Sequence, residues 1–477
     1  MLHLRFKKTQ LESIRKAPVM KNKITLLLLS LVLVLTAFGQ VNKPQKTTVQ
    51  HQKFWQLAKT PPMGWNSWDC YGPTVTEKEV RSNTDYMAEH LKQHGWQYII
   101  VDIRWFVEND KAGGYNETDP IYTMDEYGRF LPAVKKFPSA ADGKGFKTLA
   151  DYVHSKGLKF GIHLMRGIAV QAVKKNCPVM GTKVKAADIY SDKMQCGWLH
   201  DMYTIDSKKE GAQDYYNSIF NLYASWGVDY VKVDDLSKPY HQDEIEMIRK
   251  AIDRSGRPMV FSTSPGATPL ENAEHVMSNA NLWRICDDFW DNWNALKPQF
   301  KRCANWAPYI GKGHWPDADM LPLGRISIRG ERGKDRMTGF TKTEQYTLMT
   351  LWAIFRSPLM FGGDLPSNDA FTLSLLTNDE VMAVNQASTN NRQLKELNGQ
   401  VIWTADVPGT GDKYVAFFNL NDTGSAKMQV SIPELGLAGN YVVKDLWSKQ
   451  EKGSTFDKFS VTVEPHASVL VRFSRLK

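Results

Sequence analysis

Along most of the chain, segments with apolar residues every three or four positions alternate with short, nearly continuous apolar runs, and a glycine often separates the two. Thr76 and Glu79 form a capping box; Val80, Met87, Ala88 and Leu91 then share one helical face, and Gly95 ends it. The strand WQYIIVD (96–102) follows at once. The same alternation puts GFKTLADYVHSKG before LKFGIHLM, AQDYYNSIFNLYASWG before VDYVKVD, and EIEMIRKAIDRSG before PMVFSTS. It continues with AEHVMSNAN before LWRICDD and YTLMTLWAIFR before SPLMFGGDL. Helix and strand alternating in this way predict a parallel sheet covered by helices. With MGWNSW and HWPDADML counted as strands there are about eight, which favours a closed (β/α)8 TIM barrel over an open sheet.

Near residue 389 the pattern changes. GQVIWTADV, DKYVAFFNLN, AKMQVSI, NYVVKDLWS and KFSVTVEPHASVLVRFS are short, alternating and bounded by turns. They predict a C-terminal antiparallel β-sandwich. The expected organisation is an α/β barrel over 58–388 and a β domain over 389–477, preceded by a polar segment (40–57) and a leader (1–39).

Six of the nine excess positive charges lie in that leader (Arg5, Lys7, Lys8, Arg15, Lys16, Lys21 and Lys23 against Glu12), leaving +3 for the remainder. So weak a balance implies no nucleic-acid partner. Lys21 and Lys23 precede the apolar run ITLLLLSLVLVLTA and then Phe38-Gly39-Gln40. This is the layout of a secretory signal peptide, too short in its apolar core for a membrane span. Met20 offers an alternative start with a complete signal. Export is therefore expected, with no membrane span in the mature chain. Five cysteines are too few for a disulfide framework in 477 residues. Cys177 and Cys196 are a candidate pair across a loop, and the odd count leaves at least one thiol unpaired. Fifteen tryptophans serve either the core or the stacking of sugar rings.

Candidate chemistry follows from strand alternation. Lys232 and Asp234 share a face of VDYVKVD, and Asp235 points away; Arg284, Cys286 and Asp288 share a face of WRICDD, and Asp287 does not. Each strand thus delivers a cation and a terminal carboxylate to one side, at the end where barrels carry their sites. Two facing carboxylates suit glycoside hydrolysis, one ionised beside Lys232 and the other holding a proton through burial near a second acid. Arg284 offers planar donors to sugar hydroxyls. Other readings stand beside this one. The Lys–Asp pairs also fit structural ion pairs, the Asp–Asp pairs fit ligands for Mg²⁺ or Ca²⁺, Trp65 and Trp68 fit the core, and Asp317 and Asp319 fit acceptors of loop amides.

Taken together, TPPMGWNSWDCYG, YIIVDIRW, GLKFGIH, WGVDYVKVDD, WRICDDFW, WPDADML and LWAIFRSPLMFGGDL resemble glycoside hydrolase family 27, the α-galactosidase and α-N-acetylgalactosaminidase family, over residues 58–477. The resemblance implies a retaining mechanism through a covalent glycosyl-enzyme, without metal or cofactor, on a carbohydrate substrate. It implies Asp234 as nucleophile and Asp288 as acid/base. It also implies sugar contacts at Lys232, Arg284 and Asp102, and Trp68 as the wall beneath the sugar.

Two departures bear on the substrate. Where galactosidases have adjacent Asp residues reaching the C4 and C6 hydroxyls, this chain has Asp102-Ile103, and the family cysteine beside them is Arg104. A sugar lacking the C6 hydroxymethyl group, such as β-L-arabinopyranose, suits the apolar side. In FSTSPGA, Ser264 and Ala267 replace a Glu and a Leu near the 2-hydroxyl, as in the N-acetylgalactosaminidases. The expected order of activities is α-galactosidase, then α-N-acetylgalactosaminidase, then β-L-arabinopyranosidase. A carbohydrate-binding barrel without activity is the non-enzymatic alternative, and oligomeric state is left open.

Overall fold

The computed structural model describes residues 52–476. The expected signal peptide and most of the expected polar segment lie outside the described residues. Residues Lys53–Ala58 form a helical turn that buries Phe54 and Trp55, and the Trp55 indole donates to Met277 O at 3.0 Å. The packed part of the chain therefore begins before residue 58.

Eight parallel strands form the barrel wall: β1 (Met63–Asn66), β2 (Tyr98–Val101), β3 (Lys159–Met165), β4 (Tyr230–Asp234), β5 (Val260–Thr263), β6 (Leu282–Arg284), β7 (Trp315–Asp317) and β8 (Leu359–Phe361). They neighbour one another in chain order from β1 to β7, and β8 lies against the free side of β1. The ring closes just past β7, where Leu321 pairs with Phe361. Leu321 N donates to Met360 O at 2.8 Å, and Gly362 N to Leu321 O at 2.9 Å. The chief helices lie between strands: α1 (Glu77–Tyr86), α2 (Lys147–Ser155), α3 (Ala212–Trp226), α4 (Gln242–Arg254), α5 (Ala273–Asn279), α6 (Gln299–Trp306) and α7 (Lys342–Phe355), with α8 (Asp379–Ala387) after β8.

Local signals explain these boundaries. Thr76 N donates to Glu79 Oε2 at 2.9 Å, so the predicted capping box opens α1. Thr341 and Glu344 do the same for α7. Gly64 lets β1 approach β2, because a Cβ there would lie 2.6 Å from Tyr98 O. MGWNSW is only partly strand: β1 stops at Asn66 and residues Trp68–Tyr71 turn into a short helix. That turn carries Trp68 and Asp69 over the end of the barrel.

The C-terminal domain has a six-stranded antiparallel sheet facing a two-stranded one. In chain order the strands are β9 (Thr389–Leu397), β10 (Gln400–Asp406), β11 (Lys413–Asn419), β12 (Ala426–Ser431), β13 (Tyr441–Asp445), β14 (Glu451–Thr455), β15 (Lys458–Val463) and β16 (Ser468–Arg475). The large sheet runs β9-β10-β11-β16-β13-β14, and β12 pairs with β15. Val415, Phe417, Met428, Val430, Val443 and Phe473 fill the space between them. The periodicity misses β9 and β14. Both are edge strands, largely exposed and polar, so backbone pairing rather than a buried face defines them. KFSVTVEPHASVLVRFS divides into β15 and β16 around His466, whose φ is 60°.

Barrel and sandwich pack directly. Trp403 meets Phe355 edge-on at 6.1 Å, and Phe300 meets Phe418 at 4.9 Å. The Trp447 indole donates to Thr350 Oγ1 at 2.9 Å. All five cysteines are free and buried, so the expected Cys177–Cys196 pairing is not found. Among the described residues no helix is long and apolar enough to cross a membrane.

Removal of residues 389–477 would expose Phe300 and Phe355, each worth about 1.5–3 kcal/mol in burial. The barrel alone is therefore expected to be insoluble or to melt well below the full chain. A truncated barrel that stays soluble and melts at the same temperature would contradict this interface.

Candidate active site

The C-terminal ends of the barrel strands open onto a cavity of about 530 Å³. Six of the seven side chains singled out in the sequence line it: Trp68, Asp102, Lys232, Asp234, Arg284 and Asp288. The seventh, Ser264, is buried and absent from the lining, and its hydroxyl donates to Asp234 Oδ1. Ser264 therefore stands against Asp234 rather than on the cavity wall.

Strand geometry accounts for the first pair. On β4, Lys232 lies in register with His163 of β3 and Ser262 of β5, and Asp234 lies beside Met165. Lys232 Nζ is 2.9 Å from Asp102 Oδ2 and 3.8 Å from Asp234 Oδ1. Asp102 also accepts from Asn66 Nδ2 at 2.6 Å and from Ile103 N at 2.8 Å. Asp235 turns away as predicted, with φ 64°, and its carboxylate is 2.8 Å from Arg166 Nη2.

The second pair forms by a different route from the one expected. β6 ends at Arg284, so alternation does not extend to Asp288. A loop brings Asp288 Oδ1 back to 3.0 Å from Arg284 Nη2. Asp287 also lines the cavity instead of pointing away from it. The side chain of Asp288 is 43% exposed, so the burial expected to retain its proton is absent with the cavity open.

Charge is unevenly supplied. Beside Lys232 and Arg284 stand Asp102, Asp234 and Asp288, together with Asp69 and Asp319. Burial pushes the Asp234 carboxyl up, but Lys232, then His163 Nε2 at 3.0 Å and the Ser264 hydroxyl, outweigh it and hold the group well below the usual carboxylate range. For Lys232, burial favours the neutral amine, yet Asp102 and Asp234 raise its pKa and keep it charged. Asp319 is pushed up to about 7, by burial first and by Asp288 and Asp317, against Arg284 at 2.7 Å. Burial and Asp319 drive Asp69 well above the usual range, with Lys232 opposing. The shifts of Asp69 and Asp319 thus run opposite to that of Asp234, which is held toward its ionised form.

Asp102, His163 and Asp234 place donor atoms within 4.8 Å of one another, as a cation site would. The Lys232 ammonium already stands against two of them, so a divalent ion would meet a fixed positive charge. The metal reading of Asp234–Asp235 also fails geometrically, since Asp235 serves Arg166.

Several site residues escaped the sequence reading. Asp69 follows Trp68 on the turn after β1 and reaches the cavity because that turn is helical. Asp319 accepts from Phe289 N and Met320 N, as a loop acceptor should, but also pairs with Arg284. His163 alternates on β3 in register with Lys232, a signal available once the strand order is known. Tyr115 and Trp198 come from long loops that no periodicity places.

The sequence profile described as Alpha galactosidase A matches residues 60–172 and 166–387, and that for the alpha galactosidase C-terminal beta sandwich domain matches 398–473. Alpha-galactosidase A of Cellvibrio japonicus is 30% identical over 455 residues, 89% of this chain and 94% of that protein. Alpha-N-acetylgalactosaminidase of Gallus gallus is 27% identical, covering 87% of this chain and 93% of that one. A family 27 β-L-arabinopyranosidase from Geobacillus stearothermophilus is 53% identical, covering 88% of this chain and 98% of its own, with a TM-score of 0.86. A variant of it has been solved with arabinose. With both domains matched in order and the paired carboxylates gathered at the barrel mouth, this chain belongs to glycoside hydrolase family 27.

Proposed function

We propose that the protein is a retaining exo-glycosidase whose preferred terminal sugar is β-L-arabinopyranose. The observation that carries the choice of sugar is Ile103. Its side chain is 1% exposed and lines the cavity next to Asp102. A pyranose with only hydrogen at C5 leaves this apolar wall in contact with carbon. The C6 hydroxymethyl group of galactose would be desolvated there without a partner, which costs roughly 1–3 kcal/mol. The 53% identity to the Geobacillus β-L-arabinopyranosidase supports the same reading and moves it ahead of the order expected from sequence. α-Galactosidase is the second reading, favoured by the Cellvibrio relative. α-N-Acetylgalactosaminidase, to which the small Ser264 and Ala267 point, is the third reading. Export, from the basic and apolar leader, belongs to the proposal as well.

In this reading Asp234, ionised beside Lys232, attacks the anomeric carbon as the bond to the leaving oxygen breaks. Asp288 gives that oxygen its proton, so the product leaves as an alcohol. Asp288 then takes a proton from water as the water oxygen attacks the same carbon and Asp234 departs. A sugar seated in the cavity covers Asp288, which is 43% exposed when the cavity is open. Arg284 ties Asp288 to Asp319. Trp68 presents a ring to the carbon face of the sugar.

Purified mature protein should hydrolyse nitrophenyl β-L-arabinopyranoside faster than the α-galactoside. Ile103→Asp should move the ratio of kcat/KM toward galactoside by roughly ten- to a hundredfold. A wild-type preference for α-galactoside would overturn the choice of sugar. A second test addresses the charge network. Lys232→Met leaves Asp102 and Asp234 buried without a cation and should cost about 3–5 kcal/mol of stability. Because Lys232 lowers the Asp234 pKa, its loss should move the acid limb of the kcat/KM profile to higher pH. An unmoved acid limb would show that Lys232 does not control Asp234.

A further inference from the structure

The cavity is deeper than one reacting centre, and its wall carries aromatic rings from floor to rim. Trp68, 9% exposed, lies at the inner end. Tyr115 is next, its ring centroid 5.7 Å from that of Trp68 and inclined by 31°. Trp198 follows at 6.3 Å from Tyr115, with the same inclination. Trp198 is 39% exposed and lines the cavity. An exposed indole forfeits much of its hydrophobic gain, so a fold that holds one at a cavity mouth needs a reason for it.

The loop that bears Trp198 is pinned on both sides. Cys196 and Leu199 are buried. Two residues later Asp201 takes Arg104 in a bidentate pair, with both N···O distances 2.6 Å. The Arg104 guanidinium lies 5.4 Å from the Tyr115 ring centroid. One buried ion pair therefore fixes the loop that bears Trp198 against the residue that faces Tyr115. The indole is thus exposed on rigid backbone, which is how a binding surface differs from a loose side chain.

We propose that Trp198 is the platform of a leaving-group subsite, where the ring of the sugar next to the scissile bond stacks on the indole face. This rests on the reading of the chain as an exo-glycosidase. In such an enzyme the terminal sugar fills the closed end by Trp68, and the rest of the substrate must leave past the rim. The ligand class is a pyranose aglycone, with an apolar face for the indole and hydroxyls left to water.

The test compares two substrates with the same terminal sugar and different leaving groups. β-L-Arabinopyranosyl fluoride and α-galactosyl fluoride have no ring beyond the terminal sugar; the matching disaccharides release galactose. Trp198→Ala should lower kcat/KM on the disaccharide about tenfold or more. It should leave the corresponding fluoride unchanged, and Trp198→Phe should recover most of the loss. Equal losses on both substrates would overturn the subsite by making Trp198 a structural or terminal-sugar residue. Undiminished disaccharide turnover would overturn it too. A wild-type protein that cleaves neither fluoride would sink the glycosidase reading, and the subsite with it, through a result that does not depend on Trp198.

Discussion

Seven carboxylates (Asp69, Asp102, Asp234, Asp287, Asp288, Asp319 and Glu331) line one cavity against four cations (Lys232, Lys238, Arg284 and Arg332), and the site depends on how that imbalance is settled. Lys232 and Asp234 at 3.8 Å attract by about 4 kcal/mol at an effective dielectric of about 20. Burying an ion costs several kcal/mol, so this attraction alone does not decide whether Asp234 ionises. His163, with Nε2 3.0 Å from Asp234 Oδ2, and the Ser264 hydroxyl, which donates to the same carboxylate, tip the balance. Burial shifts Asp69 and Asp319 the other way, toward the protonated form. The same economy of charge explains why Lys232 belongs on a core strand: in a barrel the end of β4 is part of the site.

Closure of the barrel turns this local chemistry into a pocket. β3, β4 and β5 are adjacent and in register, so His163, Lys232 and Ser262 meet without any loop to position them. Arg284 and Asp317 are paired across β6 and β7 in the same way. Other parts of the cavity wall come from outside the strands. Ile103 stands one residue past β2, and Trp198 is in the long segment between β3 and α3. The ring of strands thus places Lys232, Asp234 and Arg284, while the segments after the strands bring Ile103 and Trp198 to the cavity wall.

The barrel could be read from its periodicity because each βα unit has a long amphipathic helix and a stop signal, as with Thr76, Glu79 and Gly95. The edge strands β9 and β14 could not, since neither buries a face. At the site, Lys232 and Asp234 were legible because alternation holds to the end of β4. Asp288 reaches the cavity, but not by alternation, since β6 stops four residues earlier and a loop brings its carboxylate back to Arg284. The bond from Ser264 to Asp234 was not legible, because a one-dimensional pattern cannot tell a hydroxyl facing the cavity from one bonded to the carboxylate. Asp69, Tyr115 and Trp198 needed the course of turns and loops, which depends on tertiary contacts such as Arg104–Asp201.

The central claim is that Asp234, ionised in the free protein, is the atom source of a covalent bond to the sugar. The most direct measurement is mass spectrometry after incubation with 2-deoxy-2-fluoro-β-L-arabinopyranosyl fluoride, whose fluorine at C2 slows release of the glycosyl-enzyme. The account predicts one sugar per chain, carried on the peptide that contains Asp234 and absent from Asp234→Asn. A label on any other residue, or turnover that inverts the anomeric centre without any label, would contradict it.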